Sequence, residues 1–245
     1  MLGTLLSAAL LAVAAYDAAV VVPALIAGRQ LAAASEAYEQ HPPTATASLL
    51  VVGDSTGVGT GARDPGLSIA GRLGAELPTV RIDNGARNGA KTRAVTAQLA
   101  GAPQAHYAAV LIQVGGNDAL RFTPLAQVAE TIDRVLAAAT ARADYVALMS
   151  TGDLGAAPAI PWPLSAVYGH RSRALRDRFA AAAARHGVAY VDLFADTGDN
   201  GFEKDPARYY ARDGLHLSGA GYGLWYERLR AATALPERLA DRGGD

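Results

Sequence analysis

Short apolar runs recur along most of the chain. They are too short for helices, so each predicts a buried strand of a parallel sheet. The predicted strands cover residues 49–52, 80–82, 110–114, 145–149 and 188–191. Between the runs, apolar positions repeat with a period near that of an α-helix, which predicts helices over residues 125–140, 171–186 and 220–229.

Strands that alternate with helices indicate βαβ crossovers and a parallel sheet covered by helices on both faces. We therefore expect one α/β domain, a three-layer α/β/α sandwich, over residues 47–232, followed by a tail over 233–245. A long loop rich in Gly and Pro is predicted over 151–169, after the fourth strand, where α/β folds place their ligand sites. Trp162 and Tyr168 in this loop are candidate substrate-binding residues.

An apolar N-terminal segment, residues 1–27, precedes the domain. It contains one charged residue, Asp17, and is longer than the ~20 residues that cross a bilayer core. The favoured interpretation is a membrane anchor, and a cleaved signal peptide or a packed helix of a soluble protein are the alternatives. No Lys or Arg precedes the apolar run, which argues against a signal peptide. Asp17 argues against an anchor, because a carboxylate is costly at mid-bilayer.

Residues 28–46 are mostly polar or small and predict a linker, with a helical first part as one alternative, that ends at Pro42-Pro43. Because the apolar segment is interpreted as an anchor, the expected location of the protein is at a membrane, through a single N-terminal helix. If that segment is instead cleaved as a signal peptide, a periplasmic or secreted enzyme is the alternative. The side of the membrane stays open. Arg29, the one basic residue next to the apolar run, weakly favours a cytoplasmic domain.

The overall composition narrows the classes of partner and chemistry. The net charge of −1 gives no field to attract nucleic acid, so no nucleic-acid partner is expected. The absence of Cys excludes a disulfide framework, a thiolate nucleophile and a zinc–cysteine site. We expect neither a metal nor a cofactor.

Four short motifs follow one another in a fixed order, each at a plausible strand end. Together they contain a nucleophile, oxyanion donors and a base with its orienting carboxylate, which are the parts that acyl transfer to water needs. The motifs are Gly53-Asp54-Ser55, Asn84-Gly85-Ala86-Arg87-Asn88-Gly89, Gly115-Gly116-Asn117-Asp118 and Asp213-Gly214-Leu215-His216.

These motifs resemble the sequence blocks of the SGNH hydrolases, the GDSL-type esterases and lipases. The resemblance covers roughly residues 48–230 and implies a flavodoxin-like sheet of five strands. It implies that Ser55 is the nucleophile and that His216 is the base, paired with Asp213. It also implies an oxyanion hole formed by the backbone N–H of Ser55, the backbone N–H of Gly89 and the side-chain amide of Asn117.

The residue types are suited to these roles. A strand-to-helix turn places Ser55 near a helix N-terminus, where partial positive charge favours an oxyanion. Asp213, three residues before His216, can accept a hydrogen bond from one ring nitrogen and leave the other for the serine proton. Each residue also has a plain structural explanation, such as a helix cap for Ser55 or an Asx turn for Asn117. A third metal ligand at suitable spacing is missing.

The prediction is serine-dependent hydrolysis of carboxylic esters or thioesters through an acyl-enzyme intermediate, with small-molecule or lipid-like acyl esters as substrates. A catalytically silent binding module on the same fold is the alternative. Residues 53–57 also match the Gly-x-Ser-x-Gly elbow of α/β-hydrolases, but the position of Ser55 after the first strand opposes that assignment. Asp54, Asn84 and Asp118 are expected to hold the turns and loops of the site by hydrogen bonds, and Thr56 stands where many members of the family have Leu.

Overall fold

A parallel sheet of five strands lies at the centre of the fold in the computed structural model, which describes residues 2–194 and 201–241. The strand order is β2-β1-β3-β4-β5, and all neighbouring strands are parallel. This order and the helices on both faces confirm the predicted three-layer sandwich with a flavodoxin-like sheet. The strands are β1 Ala47–Gly53, β2 Val80–Asn84, β3 Tyr107–Gln113, β4 Ala143–Met149 and β5 Ala189–Val191.

Helices of very different length connect and flank the strands, and short 3₁₀ turns occur at Pro65–Leu67, Thr92–Ala94 and Leu154–Ala156. The helices are α1 Leu2–Ala34, α2 Ser55–Val58, α3 Ile69–Glu76, α4 Val95–Ala100, α5 Gly116–Leu120, α6 Leu125–Thr140, α7 Leu164–His186, α8 Gly201–Lys204, α9 Pro206–Tyr209, α10 Gly219–Ala232 and α11 Leu235–Ala240.

The predicted loop over 151–169 is shorter than expected, because α7 begins at Leu164 rather than at residue 171. The first turns of α7 bury Gly169 and Ser172 on the face that later buries Leu175 and Phe179. A glycine and a serine continue the helical period there, so the apolar pattern did not reveal the start of the helix.

Each face of the sheet carries its own core. One core contains side chains of α3, α10 and α11, and the other contains side chains of α4, α6 and α7. The predicted tail over 233–245 is corrected here, because Leu235 and Leu239 of α11 are fully buried in the first core. The domain therefore extends through α11. Residues 242–245 lie outside the described residues.

The N-terminal segment also differs from its predicted boundaries. The helix α1 continues past residue 27 to Ala34, so the first part of the predicted linker is helical. The rest of that linker lies against the sheet: Gln40 forms an antiparallel bridge with Ile82, and its side-chain amide donates to the carbonyls of Leu77 and Val80. This contact satisfies backbone groups along the free edge of β2.

The buried carboxylate of Asp83 also contacts the chain that follows α1. Asp83 in β2 accepts hydrogen bonds from Arg81, Gln104 and Tyr107, and it pairs with His41 at 2.9 Å. Burial raises the pKa of Asp83, but these hydrogen bonds outweigh the effect of burial and hold the pKa well below its usual range. The negative charge of Asp83 thus helps to hold the chain after α1 on the edge of the sheet.

Candidate active site

Ser55 lies at the turn from β1 into α2, at the carboxyl edge of the sheet. Gly53 has φ +139°, and a β-carbon there would stand 1.8 Å from the carbonyl oxygen of Gln113, so only glycine fits. Asp54 caps α2 by accepting from the backbone N–H of Thr56 at 2.9 Å and from its hydroxyl at 2.8 Å. Asp54 is therefore the structural acceptor that the sequence predicted, and burial raises its pKa.

A continuous line of hydrogen-bonding groups joins Asp213, His216 and Ser55. The distance from His216 Nε2 to Ser55 Oγ is 3.1 Å, and the distance from His216 Nδ1 to Asp213 Oδ2 is 2.5 Å. The second oxygen of Asp213 accepts from the backbone N–H groups of Leu215 and His216. The carboxylate therefore fixes both the ring and the backbone of the turn that carries His216.

The electrostatic state of Asp213 suits this arrangement. Burial raises the pKa of Asp213, but the hydrogen bond and the charge of His216 outweigh burial, so the pKa lies below its usual value. An ionised Asp213 accepts a hydrogen bond from the Nδ1–H of His216, which leaves Nε2 directed at Ser55. The three residues thus have the geometry of a nucleophile, a base and an orienting carboxylate.

The two other predicted donors, Gly89 and Asn117, line the same cavity as Ser55. Gly89 has φ +76°, a conformation that favours glycine, and Asn117 lies in the first turn of α5. Gly115, just before α5, has φ +128°, and a β-carbon there would stand 2.7 Å from the ring of Phe179. The bend at Gly115 therefore depends on glycine and brings the first turn of α5 to the cavity.

Asn84 and Asp118 hold the loops that carry these donors, as the sequence predicted. The Asn84 amide donates to the carbonyl of Gly57 at 3.0 Å, and its oxygen accepts from the N–H of Ala86. Asp118 Oδ2 accepts from both the N–H and the hydroxyl of Thr92 at 2.7 Å. These bonds connect each donor loop to a neighbouring element.

The remaining histidines do not line the cavity. His41, His106 and His186 each lie beside an aspartate elsewhere on the fold, and His170 is exposed on α7. Within residues 2–194 and 201–241, no group of three or more His, Asp or Glu side chains is placed to hold a metal ion.

The cavity beside Ser55 has a volume of about 630 Å³, within the range of small-molecule sites. Tyr168 lines it, and its hydroxyl donates to the carbonyl of Leu120 at 3.3 Å. Trp162 does not line it and is 71% exposed, which corrects the prediction for this residue. Ile160 and Leu164, two residues to either side, face the cavity, and Trp162 lies on the outer side of that turn.

One wall of the cavity comes from α1, which the sequence analysis placed outside the domain. The helix contributes residues spaced as one helical face, namely Val21, Ala24, Leu25, Gly28, Arg29 and Ala32. Gly28 is close to Asp213 and His216: a β-carbon there would stand 3.1 Å from Asp213 Oδ2 and 3.9 Å from Cε1 of His216. Apolar residues occur on all sides of this helix, so its periodicity does not indicate which face packs on the domain.

Comparison with known families and structures agrees with this geometry. A family model described as GDSL-like Lipase/Acylhydrolase matches residues 51–224, a range that includes Ser55, Gly89, Asn117, Asp213 and His216. A search of curated proteins gave no match.

Several solved structures share the fold. LAE5, described as an α/β hydrolase enzyme from the metagenome of Lake Arreo, Spain, is 20% identical with a TM-score of 0.60, covering 80% of this chain and 97% of its own. TesA is 24% identical with a TM-score of 0.58, and the match covers 77% of this chain and 99% of the TesA chain. A catalytic mutant of Axe2, an acetylxylan esterase from Geobacillus stearothermophilus, is 19% identical with a TM-score of 0.59. The match covers 76% of this chain and 94% of the Axe2 chain.

Proposed function

Because the chain belongs to the GDSL-like lipase/acylhydrolase family and is a hydrolase acting on esters, we propose that it uses Ser55 as a nucleophile. The substrates are carboxylic esters or thioesters, and the reaction passes through an acyl-enzyme intermediate. The observation that carries this proposal is the line of close contacts from Asp213 Oδ2 through both ring nitrogens of His216 to Ser55 Oγ.

In the first half of the reaction, Ser55 Oγ attacks the acyl carbon and its proton passes to His216 Nε2. The carbonyl π bond breaks, and its electron pair becomes the charge of the tetrahedral oxyanion. His216 then gives the proton to the leaving alcohol or thiol as the bond to the acyl carbon breaks. Asp213 stabilises the imidazolium that exists between these two transfers.

In the second half, water attacks the acyl carbon of the ester formed on Ser55. Its proton passes to His216, and collapse of the second tetrahedral intermediate releases the carboxylic acid and returns the proton to Ser55. The N–H groups of Ser55 and Gly89 and the amide of Asn117 stabilise the oxyanion in both halves. Donors fixed in advance around a developing charge are often the largest single contribution to catalysis.

We also propose that the protein is held at a membrane by α1 without cleavage of this helix. The helix α1 is long and apolar enough to cross a bilayer. Its second half lines the cavity beside Ser55, so cleavage after Ala34 would remove a wall of the site. Asp17 lies four residues before Val21, near the domain end of the apolar segment, and one of its carboxylate oxygens is buried, which reduces its exposure to lipid.

Hydrolysis of p-nitrophenyl esters by the purified full-length chain tests the function. We expect activity that Ser55→Ala reduces to a few per cent or less of the parent rate while the circular dichroism spectrum is unchanged. Ser48→Ala, on the same strand, is the matched control and retains full activity. A parent protein that binds esters without hydrolysing them would instead be the catalytically silent binding module.

A further inference from the structure

The helix α1 contributes one face, not scattered atoms, to the cavity beside Ser55. The residues that line the cavity begin at Val21 and end at Ala32 and recur every three or four positions. Such spacing places all of them along one side of a helix, over a length of about 17 Å. An incidental contact between a detached anchor and a domain would not produce a continuous face.

Specific contacts fix this face in place. The side-chain amide of Asn88, next to Gly89, donates to the carbonyl of Ala32 at 3.0 Å, and Arg212 donates to the side chain of Gln30. Gly28 lies against Asp213, as described above. These contacts join α1 to the loop of a proposed oxyanion donor and to the turn that carries the triad carboxylate.

The contacts also fix the orientation of α1 relative to the reacting groups of the site. Ala32 lies beside the oxyanion side of the site, and Gly28 lies beside Asp213 and His216. Val21, Ala24 and Leu25 are further towards the N-terminus, and Val21 is about 10 Å along the helix from Gly28. The cavity wall therefore extends from the reacting groups towards the apolar half of α1.

The length of α1 allows it to cross a bilayer and to form this wall at the same time. A helix of 33 residues is about 50 Å long, and a bilayer core is about 30 Å thick. About 20 Å of helix is left for the domain, which matches the stretch that lines the cavity. The apolar end of the cavity wall then lies at the surface of the membrane.

The two ends of the wall differ in polarity. Near the oxyanion side the cavity is lined by Arg29, Asn88 and Arg121, and on the other side of Gly28 the helix offers Val21 and Leu25. An amphiphile with a polar head and an apolar chain matches this arrangement. A short, fully polar ester would leave the apolar half of the wall without a contact.

We propose that α1 is a wall of the acyl-chain site, and that the substrates are long-chain acyl esters that enter along this helix from the bilayer in which it is anchored. This inference rests on the proposed function of Ser55. It adds that the N-terminal helix determines which acyl chains are accepted.

Substitutions that reduce the space between α1 and the rest of the cavity test the inference. In the full-length protein, Ala24→Trp fills the cavity beside α1, and Ala24→Leu fills it less. We expect the ratio of kcat/KM for p-nitrophenyl dodecanoate to that for the acetate to fall by about tenfold with Trp, and by a smaller factor with Leu. Ala33→Trp adds the same side chain on the exposed side of α1 and should leave the ratio unchanged.

A small fluorophosphonate separates the failure of this inference from the failure of the proposed function. If it labels the parent and both Ala24 variants at similar rates, but the chain-length ratio does not move, α1 is not a wall of the acyl site and the inference is overturned. If Ala24→Trp is not labelled, the inference is judged on Ala24→Leu, from its ratio of kcat/KM for the dodecanoate to that for the acetate. A parent that is neither labelled nor active would overturn the proposed function, and the inference with it.

Entry from the bilayer is tested with vesicles. The full chain is reconstituted in phosphatidylcholine vesicles that contain a long-chain acyl ester, or is mixed with separate vesicles that contain the same amount of ester. We expect hydrolysis to be at least several-fold faster when protein and ester share a vesicle. Equal rates would overturn entry along the anchored helix while leaving the chain-length result in place.

Discussion

Gly28 of α1 packs so closely on Asp213 that an added β-carbon would stand 3.1 Å from the carboxylate oxygen that accepts from His216. The contact joins a residue near the end of an apolar N-terminal helix to the carboxylate of the proposed triad. It implies that α1 affects the position of Asp213, and through it the orientation of the His216 ring.

Gly28→Ala should therefore lower activity without destabilising the fold. Alanine favours a helix over glycine by about 1 kcal/mol, so the thermal midpoint should not fall. A β-carbon against Asp213 should displace the carboxylate by a few tenths of an ångström and reduce kcat by about tenfold on short and long esters alike. Steady-state kinetics and a thermal melt on one preparation measure both. A variant with parental kcat would show that the contact has no effect on the triad.

Asn117→Ala should reduce kcat by roughly 10²–10³, the usual cost of losing one oxyanion donor, with a smaller effect on KM. Asn117→Asp keeps the shape of the side chain but replaces the amide donor by a carboxylate, and it should be at least as impaired. If either change acts mainly on KM, Asn117 positions the substrate and does not stabilise the transition state. The measurement is a full kinetic curve for each variant.

Alanine substitutions of Tyr168 and Trp162 remove an aromatic side chain inside and outside the cavity, respectively, so the second serves as a control for the first. Tyr168 lines the cavity and packs on Phe122 with ring centroids 5.2 Å apart, so Tyr168→Ala should change the ratio of kcat/KM for long against short acyl esters. Trp162 is exposed outside the cavity, so Trp162→Ala should leave both this ratio and the thermal midpoint within error for soluble esters. The opposite pattern would contradict the lining assigned to the cavity.

Asp83→Asn should lower stability in a way that depends on pH. The folded pKa of Asp83 is depressed, so the carboxylate stabilises the fold above the unfolded pKa of about 3.9 and progressively loses that contribution as pH falls towards the folded value. The variant should be less stable than the parent by about 1–3 kcal/mol at pH 7. The difference should shrink below about pH 4. Urea unfolding across this pH range measures it, and a constant difference would contradict the assignment.

Much of the sheet and the residues of the proposed triad can be predicted from sequence, because both leave local signals. Continuous apolar runs are typical of strands buried on both faces, and the predicted runs lie within or next to the five observed strands. Ser55, Asp213 and His216 stand in short motifs in which the neighbouring residues, such as Gly53, are required by the backbone. The chemistry and the local geometry therefore point to the same positions.

The parts that could not be predicted depend on contacts between distant segments. Apolar residues occur on every side of α1, so its periodicity does not indicate that the face containing Gly28 lies against the site. The apolar pattern does not indicate the start of α7, because Gly169 and Ser172 occupy buried positions of that helix. The size of Trp162 does not indicate which way its side chain faces. The helix α11 is too short for its pattern to distinguish a packed helix from a tail, although Leu235 and Leu239 are fully buried.

Mapping a covalent phosphonate adduct shows whether Ser55 is the activated nucleophile. The full-length protein is incubated with a fluorophosphonate, and the adduct is located by peptide mass spectrometry. We predict one adduct per chain on the peptide that contains Ser55, no adduct in Ser55→Ala, and loss of esterase activity in step with labelling. An adduct on another residue, or esterase activity that persists after Ser55 is fully modified, would show that Ser55 is not the nucleophile.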